Sequence, residues 1–197
     1  VAGIGGDDAI GPALAGRMFE RRIVFLHGSL DDRRAGDLAI ALMALDAEGD
    51  DPIALHIDCS EGSLDGAFAV IDVIGLLEVP VHATCVGRVE GPVCGVLAIC
   101  DHRRATMNTR FRLGAGDERF EGTVRDVAAH VERFRERLDR FVSGLADATG
   151  RPAATVAGDV AAGRHLDAEA ALRYGLIDEV IDRPDAEVVP LIGPRAD

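Results

Sequence analysis

Tryptophan is missing from the chain and tyrosine occurs once. The core therefore has to be assembled from Ala, Val, Leu and Ile, a composition that favours helices packed closely on a sheet. Cysteine is scarce, at positions 59, 85, 94 and 100, and no two form a C-x-x-C pair. A structural zinc needs clustered Cys and His ligands, so no metal is expected. Three of the thiols sit in apolar strand or helix patterns and read as buried free cysteines. No apolar run approaches the roughly 20 residues of a membrane helix. "VAGIGGDDAIGPALAG" lacks the basic start and apolar stretch of a secretory leader, and cytoplasmic residence is expected. Positive charge is also short: the net charge of −13 repels phosphates and excludes nucleic acid and anionic membrane as natural partners.

What is present is an alternation of strands and helices in a chain of 197 residues, enough for one domain. Residues 1–15 are Gly-rich and read as a flexible segment. "RRIVFLHG" (21–28) reads as a strand and 31–49 as an amphipathic helix. "PIALHID" (52–58) is a strand, "SEGS" (60–63) a tight turn, and 64–77 a helix. A strand over 79–87, a helix over 92–100 and a strand over 103–114 follow. This order predicts an α/β fold with a largely parallel sheet wrapped by helices. Residues 123–149 form a long charged helix with one narrow apolar stripe, which suggests an arm lying partly off the body. Residues 151–163 read as a shorter helix. "DAEAALRYGLIDEVID" (167–182) closes the fold with a helix, a Gly cap and a strand, and 184–197 reads as a tail.

Taken in order, these pieces resemble the proteolytic subunit of the Clp protease, a family within the Clp-protease/crotonase superfamily. The opening "GRMFERRIVFLHGSLDDRRAGDLAIALMALDAE" and the strand, turn and helix "IALHIDCSEGSLDGAFAVIDVI" carry the first part of the likeness. "PVHATCVG" resembles the strand before the nucleophile, and "NTRFRL" the strand before the histidine. "FEGTVRDVAAHVERFRERLDRFVSGLADATGRP" resembles the protruding handle helix, and "LDAEAALRYGLIDEVID" the C-terminal signature. The likeness runs from about residue 16 to 183. It implies a serine endopeptidase built as stacked heptameric rings, working with a hexameric AAA+ unfoldase. It also implies a Ser-His-Asp triad and an oxyanion hole of two backbone N–H groups.

Carried across by position, the serine falls on Gly91, the histidine on Gly114 and the aspartate on Gly163. The oxyanion positions fall on Gly62 and on Pro92, which has no N–H to give. The expectation is a catalytically degenerate member with no catalytic residue and no cofactor. Such a chain would serve as a structural or regulatory ring subunit, a homo-oligomer partnered by an active paralogue or an unfoldase. The acid and arginine that link two rings fall on Ala161 and Ala162, so one ring or two is left open.

Two rivals stand beside this reading. In a residual peptidase, Cys94 or Cys59 would act as nucleophile, with His56 or His165 near the cleft. A thiolate needs an accessible, electropositive setting, and Glu61 and Glu90 oppose it. The second rival is an acyl-CoA-binding protein, because "VGRVEGPVCGVLAICDHRRA" and "AAGRHLDAEAALRYGLIDEV" also resemble the crotonase superfamily. Glu61 or Glu90 would then be the acid or base, while the usual glutamate positions read Gly95 and Ala115. His27, His82, His102 and His130 read as surface or core residues.

Overall fold

The computed structural model describes residues 12–116 and 121–181. The chain runs through α1 (Pro12–Phe19), β1 (Ile23–Leu30), α2 (Asp32–Glu48), β2 (Ile53–Gly62), α3 (Leu64–Ile74), β3 (Val81–Glu90) and α4 (Val93–Ile99). It continues as β4 (His102–Thr106), β5 (Arg110–Arg112), α5 (Val124–Thr149), α6 (Ala153–Ala161), β6 (His165–Asp167), α7 (Ala168–Tyr174) and β7 (Glu179–Ile181). The main sheet has the order β1-β2-β3-β4-β7, all parallel, as the alternation predicts.

On the side away from β2, β3 serves two neighbours. Its first half, His82–Cys85, pairs with β4, and its last residues, Arg88–Glu90, pair with β5. Gly87 makes the bend between them with φ +68, in the left-handed region open to glycine. A methyl built on it would meet the Asp58 carboxylate at 2.6 Å. β5 in turn pairs with β6, antiparallel. The strand read over 103–114 is therefore two strands, because Thr106–Thr109 turn the chain from one branch to the other. The Thr109 hydroxyl is held in that turn by the Cys85 carbonyl at 3.0 Å.

Alternation along the strands sets the layers. Val24, Leu26, Leu55, Ile57, Ala83 and Cys85 are buried in one core with Leu38, Leu42, Ala67 and Val70 of α2 and α3. On the opposite face the strand residues stay half-exposed or exposed, apart from Thr84.

Caps explain several boundaries. The Asp31 carboxylate accepts the Arg34 N–H at 2.8 Å and starts α2. Ser63 does the same for Gly66 at 2.9 Å and starts α3. The segment 60–63, expected as a tight turn, is thus strand up to Gly62 and cap at Ser63. α1 begins at Pro12, inside the segment read as flexible; residues 1–11 and the 184–197 tail lie outside the described residues. Proline at a first helical position costs no hydrogen bond there.

α5 is the expected arm. Thr123 and Asp126 form a reciprocal capping box at its start, and Gly150, at φ 65, ends it. Its buried residues are Phe141, Val142, Leu145 and Ala146, all in the C-terminal half. Val127, Val131, Phe134 and Leu138 continue the stripe half-exposed, so the N-terminal half projects with its apolar side only partly covered.

Candidate functional site

The two branches of β3 converge on one turn. Gly91 follows β3 with φ 64, and its N–H donates to the Arg112 carbonyl of β5 at 2.8 Å. Pro92 comes next with φ −59 and no N–H, and α4 starts behind it. The Gly91 carbonyl accepts from Cys94 at 3.1 Å and the Pro92 carbonyl from Gly95 at 3.0 Å.

β5 delivers Gly114 to the same place. A methyl built on Gly114 would lie 3.8 Å from the Gly91 Cα, and one built on Gly91 would lie 3.8 Å from the Gly116 nitrogen. Gly116 has φ +77, and a methyl there would sit 2.6 Å from the Gly62 carbonyl and 3.3 Å from the Pro92 ring. The fold therefore brings Gly62, Gly91, Pro92 and Gly114, the positions singled out by the family resemblance, close together. It adds Gly116, whose signal is the Gly114-Ala115-Gly116 run: only glycine lets the chain pass so close over Gly62. Gly163, at φ +63, has nothing among the described residues within 4 Å of a built methyl. It shares with Gly114 the wall of a cavity of about 460 Å³. Phe134 and Leu138 of α5 and Val160 and Ala161 of α6 supply its apolar side, with Asp139 and Arg112 among its polar groups.

Charge at the turn is paired off. Arg112 donates to Glu90 at 3.1 Å, a partner relation of adjacent strands that alternation alone does not reveal. Glu61 is exposed at the end of β2.

The thiols are no substitute nucleophiles. All four cysteines are free and buried. Cys94 points inward, donating to the Val89 and Arg112 carbonyls at 3.6 Å. Burial, and then the Glu90 carboxylate, push its pKa up to about 12. Cys59 donates to the Glu61 carbonyl at 3.2 Å, and burial raises it to about 11. His56 and Cys59 are three residues apart on β2, so they leave opposite faces of the strand. His165 is exposed on β6 opposite Arg112. Neither imidazole is hydrogen-bonded to a thiol in this arrangement. The crotonase reading fares no better: a methyl on Gly95 would already sit 2.6 Å from the Phe141 ring, so a glutamate has no room there. Among the described residues, no group of three or more His, Cys, Asp or Glu could hold a metal ion. No described helix is long and apolar enough to cross a membrane.

Comparison with known proteins agrees with this architecture. The family model described as Clp protease matches residues 9–184. The ATP-dependent Clp protease proteolytic subunit 1 of Corynebacterium glutamicum is 32% identical over 175 residues, covering 84% of this chain and 82% of that protein. By both measures the chain belongs to the Clp protease family.

Proposed function

We propose that this chain is a non-catalytic ring subunit of a Clp-type degradation system, one in which the positions of nucleophile, base and acid have become Gly91, Gly114 and Gly163. The observation that carries the reading is the meeting of Gly91 and Gly114 at the fork of β3, backbone against backbone, with no side chain from either to bear a proton or attack a carbonyl. Acyl transfer needs a nucleophile, a base in hydrogen-bond reach and donors where negative charge develops. Here the neighbouring thiols are buried and held protonated, and Pro92 withholds one backbone donor. The working unit is residues 16–183 with the handle at 123–149, flanked by 1–15 and 184–197.

The role left to such a chain is architectural or regulatory. It would join copies of itself, or an active paralogue, in a cytoplasmic heptameric ring, docked to an AAA+ unfoldase or set to block docking. The relative's printed name, proteolytic subunit of an ATP-dependent protease, supports that partnership. The exposed Ile40, Met43 and Leu76 on α2 and just after α3 support self-association, since apolar groups clustered at a surface mark contact sites. The test is direct. The purified protein should neither cleave casein nor react with a fluorophosphonate probe, and light scattering should show a ring, alone or mixed with an active paralogue. Stoichiometric labelling by the probe would end the non-catalytic reading, and a monomer under every condition would end the ring reading.

A further inference from the structure

Two charged side chains line the cavity beside the glycine turn, Arg112 of β5 and Asp139 of α5, and neither is fully engaged. Arg112 gives its Nε to Glu90 at 3.1 Å. Among the described residues its two terminal nitrogens meet no partner, and neither does the exposed Asp139 carboxylate. A guanidinium held at Nε alone still presents the fork of its terminal nitrogens to a carboxylate. The cavity thus offers one free donor fork and one free carboxylate, carried by two different elements.

The surroundings sharpen both signs. Arg110 stands two residues from Arg112 and leaves the same face of β5, and Arg88 of β3 is its ladder partner. Both are exposed. The carboxylates beside them are Glu90, held by Arg112, and Asp167, which caps α7 through the Ala170 N–H at 2.7 Å. Three guanidiniums against two engaged carboxylates make a locally basic strip in a chain of net charge −13. The end of α6, residues 160–163, also lines the cavity. The last carbonyls of a helix have no partner within it and draw a cation. Between these polar groups, Phe134, Leu138, Val142 and Val160 form an apolar wall. The volume, about 460 Å³, lies within the range of about 300 to 1,000 Å³ usual for small-molecule sites.

Building on the non-catalytic reading above, we propose that this cavity is a receptor site for short apolar peptides with both ends free, the carboxylate on Arg112 and the ammonium on Asp139. The reaction class that supplies such ligands is peptide-bond hydrolysis, which creates one new carboxylate and one new ammonium at every cut. A chain that does not cut would then sense the products of one that does. The interior of a polypeptide carries neither charge and leaves both Arg112 and Asp139 unanswered, so the site discriminates against uncut chains.

The experiment is calorimetric titration of the full chain with leucyl-leucine, its N-acetyl form and its C-terminal amide. The free dipeptide should bind with a Kd on the order of 100 µM, as expected of a ligand of its size. Each cap removes one charge-assisted bond and should weaken binding at least about tenfold. Arg112→Gln should bind the acid no better than the amide. Asp139→Asn should bind the free amine no better than the acetylated form. Should Arg112→Gln not fold, the exposed Asp139 carries the test through its own substitution. Chromatography of the titrated samples should find no free leucine. Equal binding of capped and free dipeptide overturns the inference and makes the cavity a plain polypeptide groove. Selectivity that survives both substitutions overturns it by placing the ligand elsewhere. Absence of binding by all three overturns it as well, and each of these outcomes leaves the non-catalytic reading standing. Release of leucine overturns both.

Discussion

At the scale of the residue, Gly91, Gly114 and Gly163 leave room for side chains to be introduced. Among the described residues, and leaving aside the adjoining residues of the chain, no atom approaches a built methyl at these positions more closely than 3.8 Å. Two of the three, however, lie in left-handed backbone, at φ 64 and φ 63, which costs other residues about 1 kcal/mol or more each. The triple variant Gly91→Ser, Gly114→His, Gly163→Asp should therefore fold, with about 2 kcal/mol less stability, and show almost no peptidase activity. Pro92 still offers no N–H, and one such donor is worth about 100- to 1,000-fold in rate. Adding Pro92→Met should raise peptide cleavage by at least about tenfold; equal rates with and without it would refute this account of the turn. The thiols make a second prediction. Their folded pKa values are raised from 9.0 to about 11 for Cys59 and about 12 for Cys94 and Cys100, chiefly by burial. A raised pKa stabilises the fold fully below the unfolded value and loses that contribution as pH climbs through the folded one. Urea midpoints should therefore fall steadily above pH 9, and Ellman's reagent should find no thiol at pH 8 until the chain unfolds.

At the scale of the element, the close approach of α4 to α5 is set by Gly95 against the Phe141 ring. Gly95→Ala must displace that ring or the helix, and overpacking of this kind costs about 1–3 kcal/mol; thermal melts should show the loss, and an unchanged melt would mean that the ring swings aside freely. α5 itself should be uneven. Its buried residues begin at Phe141, so amides before that point should exchange with solvent on the order of 100-fold faster than those near Leu145. Uniform protection along the helix would contradict this. These elements also show what the sequence could carry. The helices 31–49 and 123–149 were legible because long periodic stripes and caps mark them. Gly91, Gly114 and Gly163 could be singled out only through the resemblance to family motifs. The fork of β3 was not, since nothing local says that one strand changes partners at Gly87. β6 was missed because three residues leave no periodic signal. Gly116 was missed because its role depends on Gly62, distant in sequence, passing beneath it.

At the scale of the whole molecule, all 21 basic residues are arginine, and lysine does not occur. Amine-directed cross-linkers should therefore fail to join copies of this chain through side chains, while carboxyl-directed coupling with a dihydrazide should capture its acidic helix faces. Efficient amine cross-linking within the chain's interior would contradict this. Arginine also stays charged at any accessible pH. The last consequence is mechanical. α5 is a rod about 39 Å long, held where Phe141, Val142, Leu145 and Ala146 enter the core, where Phe134 and Leu138 pack half-buried against it, and where Arg137 pairs with Asp65 of α3. The Phe141 ring lodged against Gly95, one turn of helix from Gly91, ties this rod to the glycine turn. Ahead of Phe134 the helix runs on for about 15 Å, so a rotation of about 5° there would swing the tip by about 1 Å. A shift of a few tenths of an ångström around the glycine turn is thereby carried to the far end of the handle, where any facing ring would feel it.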